Sequence, residues 1–167
     1  MFVEQMEQVS RWITSTAPSR AVQGLDGYVP TLQSIHILAI AAVIACTTLL
    51  NLRLLGVMYR SAPVTRVGQR LSRPVWLALL VLVLTGSGLL LAEPERSLTS
   101  QVFQLKMLLL VVGGLLSWRL LRQVHAGATE WDRNGGVPLS AKLAAVLLLL
   151  VWPLIIFAGR WIAYAQY

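Results

Sequence analysis

The chain has 167 residues, of which 56% are hydrophobic and 13% charged, and its mean hydropathy is +0.68. A soluble domain carries roughly 25% charged residues, so the apolar excess is too large for one water-facing core and has to face lipid. The net charge of +7 is gathered in two stretches that flank apolar runs. That distribution fits membrane orientation and excludes a nucleic-acid-binding stripe.

The first 30 residues form an arm. Phe2, Met6, Val9 and Ile13 recur at helical spacing with Trp12 beside them, while Glu4, Glu7, Gln8 and Arg11 fall largely elsewhere. A period of 3.6 with an aromatic at its edge predicts an amphipathic helix over 1–17 lying in the membrane interface. No basic segment precedes an apolar core, so the arm does not read as a cleavable signal peptide. Pro18, Gly24, Gly27 and Pro30 then interrupt the pattern, and Tyr28 stands where an interfacial aromatic is expected.

Four apolar segments follow, at about 32–57, 74–92, 102–123 and 140–163, each near the roughly 20 residues that span a bilayer core. Pro74 is placed at the first turn of the second and Ser140 at the N-cap of the fourth. Alternation is absent and the runs are rich in Leu and Ala, so the fold class is all-α: a four-helix transmembrane bundle with an N-terminal amphipathic interfacial helix, in one domain. Pro153 lies inside the fourth segment and predicts a kink. Gly86, Gly88, Gly113, Gly114 and Gly159 are read as places of close helix packing.

Loop charge predicts orientation. The first connection carries Arg60, Arg66, Arg70 and Arg73 after Arg53, and the third carries Arg119, Arg122, Arg133 and Lys142 against Glu130 and Asp132. The second is the short Glu93-Pro94-Glu95-Arg96. The positive-inside rule puts the two basic connections in the cytoplasm and both termini outside, on the periplasmic face if the cell is Gram-negative.

Catalytic motifs are lacking: there is no His-Glu-x-x-His, no phosphate loop and no Cys-x-x-Cys, and Gly86-Ser87-Gly88 lacks the spacing of a nucleophile elbow. An enzyme is therefore not the expectation. The lone Cys46 lies in the first apolar run and cannot form an intrachain disulfide. Of the two histidines, His125 follows Arg119 and Arg122 at the inner end of segment 3 and reads as a solvated residue. His36 opens segment 1 at its outer end. Most of the bilayer separates them, so they cannot both ligate one haem within one subunit. An ionisable group inside a membrane segment is a functional candidate. His36, Thr47 and Asn51 share one helical face, and Glu93, Lys106 and Arg160 fall at the same outer depth as His36, with Met107, Trp161 and Tyr164 near.

Such a cluster suits haem b or a copper-type metal: His36 as a neutral imidazole ligand, Met107 as a second, soft ligand, and Lys106 and Arg160 facing carboxylates such as haem propionates. The alternative explanation is interfacial anchoring, with Lys106 and Arg160 snorkelling to water. Three roles follow. The chain is a non-catalytic cofactor- or ligand-binding module, an oligomeric small-solute transporter or channel using His36, Thr47 and Asn51, or a structural accessory subunit of a larger membrane complex. In a homo-oligomer, His36 residues of two copies can pair.

The chain resembles an uncharacterised bacterial family of small four-helix membrane proteins. The resemblance rests on Trp12-Ile13, on Ser34-Ile35-His36-Ile37-Leu38, on Leu52-Arg53-Leu54-Leu55-Gly56 and on Gly159-Arg160-Trp161-Ile162-Ala163-Tyr164. It implies the four-crossing topology and the importance of His36, Arg53 and Arg160. Asn51 stands where the family is expected to carry an aspartate. A looser likeness of segment 1 to copper-resistance and cytochrome-b-like membrane proteins is an analogy.

Overall fold

The structure, a computed structural model, describes residues 2–98 and 100–161. Among these, the only regular elements are helices: α1 (Phe2–Ser15), α2 (Ala17–Gln23), α3 (Tyr28–Leu54), α4 (Val64–Ala92), α5 (Pro94–Leu98), α6 (Gln101–Asn134) and α7 (Leu139–Trp161). The four long ones, α3, α4, α6 and α7, are apolar and long enough to cross a membrane. Leu77 is 65% exposed and Leu84, Leu115 and Phe157 are similarly bare, which is the exterior a lipid environment calls for.

Buried positions on the long helices recur mostly at three- and four-residue steps. They run Ala39, Val43, Thr47, Leu50 and Leu54 on α3, and Ala141, Ala145, Leu148, Trp152 and Ile155 on α7. That spacing is the narrow seam of near-antiparallel bundle packing. The helices form a ring in which α3 packs on α4, α4 on α6, α6 on α7 and α7 back on α3. Val43, Val75, Leu120, Leu148 and Trp152 meet in its core.

Helix α3 ends at Leu54. The Gly56 N–H donates to the Arg53 carbonyl at 3.0 Å and the Val57 N–H to the Leu52 carbonyl at 2.9 Å, with Gly56 at φ +72°. This is a Schellman motif, which needs a left-handed residue after the helix. The same stretch turns Arg53 back on the following loop, its Nε donating to the Ala62 carbonyl at 2.7 Å.

Two segments differ from the sequence expectation. Helix α4 begins at Val64 rather than at Pro74, which lies inside it. A proline there forfeits one backbone bond, but the extra turns are held from outside. The Asp132 carboxylate accepts from the Val64 N–H at 2.7 Å, the Thr65 N–H at 3.0 Å and the Thr65 hydroxyl at 2.7 Å. It caps α4 from α6, since the local N-cap, Pro63, makes no side-chain bond. Helix α6 runs to Asn134 and stops at Gly135, φ +69°. At 34 residues it is about 51 Å long, well beyond a core of about 30 Å, so its last turns stand clear of the hydrocarbon and present Asp132 to α4. Arg66, Arg70 and Arg73 thus lie on a helix and not in a loop. Ser140 sits in the first turn of α7, where Pro138 supplies the accepting carbonyl to Ala141 and Lys142.

Asp132→Ala should cost about 1–2 kcal/mol, the usual worth of an N-cap. Amide exchange at Val64 and Thr65 should accelerate while exchange in the middle of α4 stays unchanged. Equal protection in the variant rejects the cap.

The arm is a helix pair and not one helix: Thr16 and Pro18 break it and start α2. It docks on the bundle through Ser19, whose hydroxyl donates to the Leu91 carbonyl at 2.7 Å, with Gln23 Nε2 on the Ser19 Oγ at 3.0 Å. On α1, Ser10 is buried while Val9 and Trp12 are exposed, so only part of the expected apolar stripe faces protein. The Phe2 side chain lies outside the described part.

Candidate functional site at the His36 end

His36 sits three turns into α3, on the face that meets α4. Its Nδ1 lies 2.7 Å from the Thr85 Oγ1. The Thr85 hydroxyl spends its single hydrogen on the Val81 carbonyl at 2.6 Å, so toward the imidazole it is an acceptor. Nδ1 therefore carries the proton, and Nε2 keeps its lone pair. Fixing one ring nitrogen with a hydrogen bond so that the other presents a bare lone pair is how histidine ligands are oriented.

Small residues make this possible. A methyl on Gly86 would lie 3.4 Å from the His36 Cε1, so the ring rests against the α4 backbone. One turn outward, a methyl on Gly88 would stand 2.5 Å from the Leu32 Cδ2 and 2.8 Å from the Tyr28 Oη. The Gly86-Ser87-Gly88 stretch is thus a packing device, as expected.

Lys106 reaches the same level from α6. It is half-buried, and a methyl on Gly159 of α7 would meet its Nζ at 3.4 Å. Gly159 makes room for the lysine stem, and α3 and α6 are diagonal in the ring, so Lys106 and His36 share a level without a direct contact. The other expected members stand apart. Met107 is 44% exposed and lies about 100° further round α6 than Lys106, on the lipid side, so its expected pairing with His36 lacks geometric support. Trp161 is exposed and stacks on Phe157 with ring centroids 5.4 Å apart. Glu93 and Arg160 are exposed, and each is already engaged by another group. Tyr164 lies outside the described residues.

Below this pair the interior is more polar than the sequence suggests. Asn51 is 1% exposed, and its Nδ2, the Ser117 Oγ and the Trp152 Nε1 have no hydrogen-bond partner among the described residues. Thr47 is buried but self-satisfied, donating to the Val43 carbonyl at 2.7 Å. Thr47 and Ser117 fall at one level, about 16 Å below His36 at 1.5 Å per residue. Trp152 starts nearer His36 and its side chain leans toward that level.

Chemistry narrows what the His36–Lys106 pair can hold. Among the described residues no three His, Cys, Asp or Glu side chains gather to cage a metal ion. A bare copper-type cation at Nε2 would also face the lysine charge. Like charges repel more strongly in such a site than in bulk water. An anionic ligand reverses that sign. Were a metal-bearing organic anion bound here, His36 would be the residue to ligate its metal and Lys106 the residue to pair its anionic group.

Sequence reasoning singled out His36 and Lys106 but missed Thr85, the partner that orients the imidazole. Its signal was available: Thr85 is a polar residue on the buried stripe of an otherwise apolar run, at the depth that an antiparallel neighbour of His36 must have.

No curated protein and no solved structure matches the chain. A family model does match, from residue 21 to residue 165. It takes in His36, the Leu52–Gly56 helix stop and the Gly159–Tyr164 stretch, and leaves out Trp12 and Ile13. The chain belongs to the family of unknown function DUF6644.

Proposed function

We propose that this protein is a non-catalytic cofactor-binding module of the bacterial inner membrane, with its site in the outer leaflet. His36 offers Nε2 as a neutral ligand to haem or a comparable metal-bearing organic cofactor, and Lys106 balances its anionic group. The observation that carries this reading is the Thr85 bond: with the Thr85 hydrogen given to Val81, the imidazole donates through Nδ1 and keeps the Nε2 lone pair for a ligand. The orientation rests on the arginine-rich loops, which the positive-inside rule assigns to the cytoplasm.

The test is the absorption spectrum and cofactor content of the protein purified from membranes. We expect a Soret band that His36→Ala removes and that Lys106→Met weakens. Protein with no bound organic cofactor and no Soret band, after supplementation with haem, sinks the reading.

A second reading, a small-solute transporter, is favoured by one observation: the partnerless polar atoms of Asn51, Ser117 and Trp152 in the bundle interior. Buried groups of this kind cost about 1–3 kcal/mol each unless water or a solute pairs them. Solute flux into proteoliposomes that Asn51→Leu abolishes would support it, and flux unchanged by that substitution would count against it.

A further inference from the structure

The opposite end of the bundle carries a second concentration of chemistry. A cleft of about 550 Å³ is lined by Arg66, Gln69, Arg70, Ser72, Arg73 and His125. The first five lie on α4, and the three arginines recur at four- and three-residue steps, one stripe of that helix. His125 comes from α6. It is brought there by a close α4–α6 approach: a methyl on Gly68 would stand 2.6 Å from the Cγ1 of Val124, its neighbour in sequence. The His125 Nδ1 bonds the Leu121 carbonyl at 2.7 Å, which holds the ring with its other edge free.

The lining contains three guanidinium groups and no carboxylate. Nor does any of the three arginines have a hydrogen-bond or ion-pair partner among the described residues. The one nearby acid with a defined role, Asp132, is spent on capping α4. Orientation in a membrane needs only a surplus of positive charge on one side. It does not need the charges to converge on a cavity with a histidine from another helix.

The depth of the cleft points to its occupant. Trp76 and Trp118 are exposed on α4 and α6, and Arg122 lies over the Trp118 ring at 5.4 Å. They mark the aromatic belt at this end of the bundle. From Trp76, Arg73 is about 4 Å and Arg70 about 9 Å further out along α4, at the level of lipid headgroups. We propose that this cleft is a binding site for a phosphate-bearing anion, held by the guanidinium forks of Arg70 and Arg73 with Arg66 and His125 completing the cradle. Arginine matches phosphate bidentately. An open basic cleft between membrane helices at this depth suits an anionic phospholipid headgroup.

The experiment is native mass spectrometry of the full chain in mild detergent, titrated separately with cardiolipin, phosphatidylcholine and inorganic diphosphate. Cardiolipin should bind in preference to phosphatidylcholine. Each lost arginine should weaken it about five-fold, so Arg70→Gln/Arg73→Gln loses about 25-fold. His125→Ala, on the facing helix, should weaken binding by several-fold and serves where the double variant does not fold. Arg20→Gln removes one positive charge at the other end and should have no effect, against the loss of about five-fold expected from each cleft arginine. Diphosphate that binds, competes with the lipid and is weakened by the same substitutions supports the site with a soluble anion as its source. Anion binding equal in wild type, double variant and His125→Ala overturns the proposal, as does the absence of binding by either phosphate compound.

Discussion

Gly68→Ala should destabilise the bundle, although alanine is the better helix former. The helix propensity gain is at most about 1 kcal/mol. Against it stands a methyl 2.6 Å from the Val124 Cγ1, where carbon atoms prefer about 3.5–4.0 Å. Roughly 1 Å must be found between two buried positions, and valine cannot swing away because its branched side chain has one favoured rotamer in a helix. Overpacking of this kind costs about 1–3 kcal/mol, and Gly68→Leu should prevent folding. In detergent the Gly68→Ala midpoint should fall by about 2–8 °C on the usual scale for a chain of this size. The second-site change Val124→Ala isolates the cause. Its own loss and that of Gly68→Ala should sum to more than the double variant loses, a coupling of about 0.5–3 kcal/mol. Additive losses would remove the Gly68–Val124 contact from the account of how α4 and α6 are held.

The four crossings were legible because lipid imposes a long apolar run on each of them. Gly56 was not read as a helix stop, although a glycine after Leu52-Arg53-Leu54-Leu55 is what a Schellman motif requires. The start of α4 was not legible. Pro74 carries a strong local signal for a first turn, and the helix outruns it because the cap at Val64 comes from Asp132 and the packing at Gly68 from Val124. Both partners are more than fifty residues away, and no local pattern announces them. The site divides in the same way. His36 and Lys106 stand out because ionisable groups are costly in an apolar segment. Met107 was chosen by proximity in sequence to Lys106, and successive helix residues point about 100° apart. Thr85 and the His125 cleft depend on which helices are neighbours, which the ring order of α3, α4, α6 and α7 settles.

Thr85→Val should impair the site nearly as much as loss of the histidine, with little effect on the fold. Valine keeps the shape of threonine and removes one acceptor. One hydrogen bond contributes about 1 kcal/mol net to stability, so the thermal midpoint should move by a few degrees at most. For the imidazole the change is larger. With its Nδ1 partner gone, the half-buried ring is free to rotate and to carry its proton on Nε2, where it cannot serve as a ligand. Losing the group that orients a ligating histidine typically costs 10–100-fold in affinity, and that is the expected loss of haem affinity in Thr85→Val. Thr85→Ser, which retains the acceptor, should recover most of it. The tautomer can be followed without any cofactor. Nitrogen-15 chemical shifts of the labelled imidazole should report a protonated Nδ1 in the wild type and in Thr85→Ser, and a mixture of tautomers in Thr85→Val. A wild-type spectrum with the proton on Nε2 would mean that Thr85 donates to the ring and that the lone pair is buried. His36 would then be a packing residue, and the proposed cofactor-binding role would fall.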